Sequence, residues 1–386
     1  MRVALIESLP ANWTAWSGLR LFQNEEWVAE RLIEKHNLIR DQEHNARKQA
    51  GQIAFCLSQA AEYWQAAKSS SQATAHLQLY YCCMSLALAK VLWKGDGNFA
   101  IERLRQNHGH HGLSFVWGHG KLLLSSLSEL KVKPHQKEKV RSGTFEVWHS
   151  LARESYLIGE TQNRIKNIRR VEALFYPGNK RLPIVPENGI SLETLYSSLP
   201  RMTAALNNVG LSTRTLRATF SREIQPSPFP DFDIQETYTV DIHPTEESVL
   251  EEFRSKVSIR ATYLEDTEIL ERSQGFTIRQ TSYASKHGST GGLELPDGIS
   301  MSPGATYFKP YLPHLNEFGI IYCTSYLLGM LCRYYPDLWM REIKSKSSFM
   351  YLAEAFFEFA LDRIPILCLT ALEECAYVKN DTGLKV

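Results

Sequence analysis

Residues 77–93 read LQLYYCCMSLALAKVLW, a run of helical length with apolar side chains on nearly every face. A helix of that kind has no side to offer to water, so other elements must enclose it. The rest of the chain has to be arranged around it. A Ser-rich break at Lys68–Gln72 precedes it and Gly95, Gly97 and Asn98 follow it, which sets the helix at about Ala75 to Trp93. Upstream, Asn24 before Glu25 and Glu26 caps a helix reaching about His36. Ala50, Ile53, Ala54, Leu57, Ala61 and Trp64 keep three-to-four spacing and predict a long helix over Asp41 to Ala67.

Further helical segments are expected at Leu122–Leu130, from Ser142-Gly143-Thr144-Phe145 to about Arg170, and at Leu192–Asn207. Between Ser212 and Lys309 the texture changes. Leu216 to Phe220 and Thr237 to Ile242 alternate with a period of two and are rich in Thr, Tyr and Val, which marks strands. PSPFPDFD (Pro226–Asp233) is a turn between them. Phe276-Thr277-Ile278 and Thr306-Tyr307-Phe308 read as further strands, and Glu246–Lys256 as a helix. From His314 the pattern is helical again: Phe318–Tyr334, a helix opening at Pro336, and Phe349–Val378 with a bend near Pro365. The expected class is α+β, predominantly α-helical. Residues 1–210 form an N-terminal helical region, 211–312 a β-rich insert with a small antiparallel sheet, and 313–386 a C-terminal helical region packed on the first.

A chain of 386 residues with 44% hydrophobic residues can bury a large core without metal or disulfides. Its seven cysteines are odd in number, include no CxxC and lie in apolar helical patterns, which points to a reducing cytoplasm. MRVALIESLPANW lacks the apolar run and cleavage site of a signal peptide. The longest apolar run, Phe318 to Cys332, is shorter than the roughly 20 residues of a bilayer span, so no membrane association is expected. The Gly-rich loop Ser285–Gly292, with Lys286 and His287, lacks the phosphate-loop pattern. Neither a G-x-S-x-G elbow nor HExxH occurs. No cofactor is expected.

Net charge is +1, but it is unevenly spread. Lys131–Arg181 holds twelve Lys/Arg against five Asp/Glu, and Asp231–Arg272 holds twelve Asp/Glu against four Lys/Arg. The two stretches can pair within the chain or between copies, decorate a solvated surface, or meet nucleic acid and protein partners.

Residues 101–121 read IERLRQNHGHHGLSFVWGHGK, with four of the twelve histidines beside Arg103 and Arg105. Histidine titrates nearest neutrality, and arginine is the best fixed donor to phosphate. This is the place where acid–base chemistry on a phosphodiester fits best. A structural loop fits as well, with glycines supplying unusual φ and histidines capping helices. Ligand or phosphate binding is a third reading. Metal binding by His108, His110, His111 and His119 is a fourth, although zinc usually adds Cys or carboxylate ligands and no acidic residue lies between Arg103 and Lys121.

Three stretches together resemble the YaaC-like family. They are QAAEYWQAA with LQLYYCCMSLALAKVLW (Ala54–Trp93), HGHHGL (His108–Leu113) with SGTFEVWHSL (Ser142–Leu151), and SYLLGMLCRYYPDLW (Ser325–Trp339) followed by Arg363-Ile364-Pro365. The helix with Tyr80-Tyr81 and the following Arg-x(4–6)-His segment are similar, more distantly, to HEPN domains. That resemblance implies a helical bundle acting as a metal-independent ribonuclease in toxin or antiphage defence systems, usually as a dimer. Arg105 to His110 and Arg105 to His111 keep the spacing, as does Arg103 to His108, with Gln106 where Asn or Asp is more usual.

RNA cleavage without metal uses the 2′-hydroxyl as nucleophile. His110 or His111 would take its proton, Arg105 would stabilise the developing charge, and Asn107 would position the phosphate. Two copies meeting at a dimer axis would supply acid and base together. RNA, a protein from the same operon and a second copy of the chain are the expected partners. The alternative is a non-catalytic adaptor that holds protein or nucleic acid on its basic and acidic surfaces. Tyr80 and Tyr81 point in different directions and read as core, and Arg333 reads as a cap on its own helix's carbonyls.

Overall fold

Strand β1 (Arg2–Leu5) leads into helices α1 (Ala15–Leu19), α2 (Glu25–His36), α3 (Arg40–Ser69), α4 (Ala75–Lys94) and α5 (Ile101–His108). Short strands β2 (Leu113–Val116), β3 (Lys131–Pro134), β4 (Gln136–Lys137) and β5 (Val140–Arg141) precede α6 (Thr144–Leu151). Next are β6 (Leu157–Asn163), β7 (Ile168–Phe175), β8 (Ile190–Ser191), α7 (Leu192–Ser197) and α8 (Thr203–Asn208). The β-rich stretch holds β9 (Leu216–Pro226), β10 (Ile234–Ile242), α9 (Glu247–Arg254), β11 (Ser258–Ile259), β12 (Glu265–Arg272) and β13 (Gly275–Ser285). It continues through β14 (Gly288–Ser289), β15 (Leu293–Glu294), β16 (Gly298–Ser302) and β17 (Ala305–Phe308). Last come α10 (Glu317–Tyr334), α11 (Pro336–Ser345), α12 (Ser348–Glu373) and β18 (Cys375–Val378). This computed structural model describes residues 2–95, 100–118, 120–137, 140–175, 181–243, 245–259, 265–272, 275–285, 288–289 and 293–379. The loop residues Lys286 and His287, like His119, Gly97 and Asn98, lie outside them.

The protein is α+β and helix-rich. Helix α4 sits at its centre, with 14 of 20 residues buried, packed against α3, α6, α10 and α12. Gly329 lets α10 approach closely, since a Cβ there would stand 3.2 Å from the Tyr80 Cβ. One hydrophobic core runs from Ala15 through Tyr80 and Phe145 to Tyr377, so the early and late helices share it. All seven cysteines are buried and free.

The sheet has nine strands, in the order β12-β13-β10-β9-β17-β16, with β14 beside β13, β6 beside β9 and β7 beside β6. Strand β9 is its hub. One edge pairs antiparallel with β10; the other pairs antiparallel with β17 at Leu216–Ala218 and parallel with β6 at Ser221–Ile224. The sheet is therefore mixed and larger than the small antiparallel one expected. It also takes in β6 and β7, which precede residue 210 and fall in a segment expected to be helical. Gly159 permits the β6 contact, because a Cβ there would lie 2.5 Å from the Phe220 carbonyl oxygen.

Three helical expectations are corrected. Leu122–Leu130 holds only a 3-10 turn at Leu124–Leu127. There Ser126 Oγ accepts from Leu123 N and donates to Lys121 O, competing with helical bonding. Leu192–Asn207 breaks at Leu199-Pro200 into α7, a 3-10 turn and α8, because the residue before proline avoids helical φ/ψ. Helix α12 keeps Pro365 inside it but stops at Glu373, where Glu374 turns left-handed (φ 51°). Cys375–Val378 then pairs in parallel with β1 rather than continuing the helix.

Candidate functional site

The two histidine-bearing motifs, HGHHGL and SGTFEVWHSL, meet in space. Helix α5 ends at His108, and residues 109–112 cross the N-terminus of α6. The first N–H groups of a helix have no partner within it. Here Thr144 N donates to His110 O (2.9 Å) and Phe145 N to His111 O (3.0 Å). Gly143 N donates to His108 Nδ1 at 3.0 Å. The crossing requires glycine at two positions, Gly112 (φ 78°) and Gly143 (φ 101°).

His110 is exposed, and both ring nitrogens are engaged. Nδ1 accepts from Gly112 N (3.1 Å), so the proton resides on Nε2, which donates to Ser142 Oγ (2.9 Å). The small burial of the ring, with His135 and His108 beside it, pulls its pKa below the ordinary histidine value. Its place is that of a clamp between the two motifs.

His111 points the other way, toward the core. Its Nδ1 lies 2.7 Å from the Tyr80 Oη. Tyr80 is fully buried, and the Tyr81, Tyr322 and Tyr326 rings lie within 6.0 Å of its own. Burial, which disfavours the phenolate, pushes the Tyr80 pKa up. Half-burial of His111 lowers its pKa, and the positive charge of Arg333 and then His110 lower it further. The imidazole is therefore neutral at neutral pH, with Nε2 making no hydrogen bond among the described residues.

The cation acting on His111 is thus Arg333. Arg333 does not cap its own helix; Nη1 donates to Tyr81 Oη at 3.1 Å, and the guanidinium lies 5.1 Å from the centre of the Tyr334 ring. Arg105 is exposed, makes no hydrogen bond or ion pair among the described residues, and acts instead on the Cys56 thiol of α3. Asn107 lies in α5, and its side chain is outside the described residues. The loop therefore turns His110 and His111 to different partners, and Arg105 contacts neither of them among the described residues. Arg333 was singled out in the sequence for a different role, and nothing at that level links residue 333 to residue 111. Among the described residues no group of three His, Cys, Asp or Glu side chains is placed to hold a metal, and no helix is long and apolar enough to cross a membrane.

Among the described residues no ion pair joins the two charged stretches directly; each pairs largely within itself or with Arg222 and Glu223 of β9. Arg164 pairs with Glu223, Arg169 with Glu160 (2.5 Å), and Arg222 with both Glu236 (2.5 Å) and Glu172 (3.8 Å). In the acidic stretch Arg254 pairs with Glu271 (2.8 Å) and Arg272 with Asp241 (2.9 Å).

No curated protein and no solved structure matches the chain. A family model described as YaaC-like protein matches residues 20–372, a span that takes in α2 through most of α12, including both histidine-bearing motifs and the whole sheet. The chain belongs to the YaaC-like protein family.

Proposed function

We propose that His111, Tyr80 and Arg333 form the working centre of a HEPN-like, metal-independent ribonuclease-like effector of a bacterial toxin or antiphage system. The observation that carries this reading is the 2.7 Å contact between His111 Nδ1 and Tyr80 Oη. With Nδ1–H donating to Tyr80, whose hydroxyl can turn to Met84 Sδ at 3.9 Å, Nε2 on the far side of the ring keeps its lone pair. That nitrogen takes the proton of an RNA 2′-hydroxyl as the oxygen attacks the adjacent phosphorus. Tyr80 then holds the imidazolium in place, and Arg333 stabilises the charge developing on the phosphorane. A second copy of the chain supplies the proton to the departing 5′-oxygen. In this reading His110 and Gly143 position the loop, and Arg105 belongs to the approach for the RNA backbone.

The test is cleavage of total RNA and tRNA in EDTA by the wild type, His111→Ala, Arg333→Ala, His110→Ala and Arg105→Ala. Cleavage should be lost in His111→Ala and fall about 100-fold in Arg333→Ala, the scale of losing one stabilising group. Arg105→Ala should weaken RNA binding more than turnover. Folded wild type without cleavage would favour the adaptor reading. One observation lends that reading support: β12 is an edge strand with Ile269 49% and Leu270 41% exposed, and open edges invite pairing.

A further inference from the structure

Helix α4 carries a second unusual residue about 15 Å along its axis from Tyr80. Lys90 is only 7% exposed, yet its ammonium makes no hydrogen bond or ion pair among the described residues. Nζ lies 3.6 Å from the centre of the Phe318 ring and 5.7 Å from that of Trp148. It lines a cavity of about 490 Å³ where α4, α10 and α12 meet β6, β16 and β18. A buried charge without a partner is unfavourable, and most proteins avoid one.

Two more cations in the wall have only backbone partners among the described residues. Lys94 Nζ donates to Leu151 O (2.9 Å), and Arg153 Nη1 donates to Ala152 O (2.9 Å) and Ser150 O (3.3 Å). The carboxylates of the wall are occupied. Glu317 holds Arg363 in a two-point pair (2.8 and 2.7 Å), Glu374 meets Lys35 (3.3 Å), and Glu154 is also engaged. The cavity wall thus holds five Lys or Arg against three Glu, and Lys90 itself has no carboxylate partner among the described residues. Burial and the neighbouring Lys94 bring the Lys90 pKa down to about 7, and burial with Arg153 and Lys35, against the opposing charge of Glu374, brings that of Lys94 down to about 8.

We propose that this cavity binds a small organic phosphate, with Lys90, Lys94 and Arg153 gripping the phosphate and Trp148 and Phe318 receiving the carbon skeleton. Charge matching favours a dianion, since one carboxylate would leave most of the positive charge unanswered. Guanidinium and ammonium donors together suit phosphate oxygens. The volume lies in the range of small-ligand sites of roughly 300–1,000 Å³, far more than inorganic phosphate fills, and the aromatic wall suits carbon. The site is separate from the His111 centre and does not depend on the nuclease reading.

The experiment is calorimetric titration of the full chain with phenyl phosphate, inorganic phosphate and benzoate, using wild type, Lys90→Met and Arg153→Gln. Phenyl phosphate should bind at least about tenfold more tightly than either other probe, a difference calorimetry resolves readily. Repeating the titration near pH 8 in two buffers of different ionisation heat should show proton uptake, because a bound anion returns the charge to Lys90. The charged groups around Lys90 in the wall are Lys35, Lys94, Arg153, Glu154, Glu374 and the Glu317–Arg363 pair, with the Cys368 thiol also acting on it. Burial holds Cys368 up at about 12, so it stays protonated. Uptake should fall in Lys90→Met, the remainder coming from Lys94, and affinity should drop at least about tenfold. Should Lys90→Met fail to fold by circular dichroism, Arg153→Gln carries the same affinity test. Absence of phenyl phosphate binding at millimolar concentration, or binding unchanged in the folded variants, overturns the proposal. Equal binding of benzoate overturns the assignment to phosphate.

Discussion

Gly143 and Gly112 touch backbone to backbone: a Cβ built on Gly143 would lie 2.3 Å from the Gly112 Cα and 2.7 Å from the His110 Nδ1. This contact lays residues 108–112 across the start of α6 and thereby turns His111 toward Tyr80. Gly143→Ala should cost roughly 2–4 kcal/mol, combining a clash with a φ that side chains resist. Denaturant midpoints would measure it. A loss below about 0.5 kcal/mol, the scale of an ordinary surface change, would show that the loop relaxes freely.

His111 should titrate below the ordinary histidine value. Arg333 contributes to that depression, so Arg333→Gln should raise the pKa, because the imidazolium no longer faces a like charge. Under the nuclease proposal the acidic limb of the rate profile should move upward in pH by the same amount. NMR titration of the imidazole checks the first point, and an unchanged pKa would rule out Arg333 as its electrostatic partner.

His76 is fully buried between Trp339 and Phe357 with neither ring nitrogen hydrogen-bonded among the described residues, and desolvation lowers its pKa to about 3. An unfolded histidine binds a proton near pH 6.5, whereas the folded one does not until near pH 3. Across that window the unfolded state binds more protons, so stability present above pH 6.5 is lost on acidification, by up to about 1.4 kcal/mol per pH unit. His76→Phe should flatten this slope in unfolding curves recorded from pH 7 to pH 4. An identical slope would assign the acid sensitivity to other groups.

Asp297 and Lys309 form an ion pair at 2.6 Å with side chains 1% and 0% exposed. Asp297 also accepts from Ser155 N, which ties the entrance of β6 to the turn before β16. Asp297→Asn should destabilise by roughly 3–5 kcal/mol, because it leaves a buried ammonium uncompensated. Asp297→Asn with Lys309→Met should recover much of that loss in thermal denaturation. A double variant as unstable as the single one would show that the Ser155 link dominates.

Most long helices were legible because burial and period coincide in them. Ala50 to Trp64 and Phe318 to Tyr334 carry their spacing openly, and Asn24 and Pro336 mark starts that the fold uses. The strands β6 and β7 were not legible, since Arg164, Lys166, Arg169 and Arg170 give that hairpin the composition of a solvated segment. Two of their partners, Glu160 and Glu223, lie on other strands, while Glu172 sits two residues from Arg170 on β7 itself. Half of the loop was readable: clustered histidines and glycines pointed to residues 108–112, and only the family resemblance set SGTFEVWHSL beside them. That the two fit together depends on backbone angles at Gly112 and Gly143. The role of Lys90 was hidden, because a single lysine in an apolar helix reads as a blemish until the surrounding walls are known.

The pairing of β1 with β18 has a consequence for synthesis. Strand β1 is made more than 350 residues before its partner strand. Leu5 and Val3 must therefore be kept from other sheet edges throughout that time, a demand on chaperones rather than on the finished fold. Ala376, Tyr377 and Val378 also form part of the cavity wall. The cavity around Lys90 is then complete only when translation has passed Val378, so any ligand it holds would mark chains that include β18 apart from shorter ones.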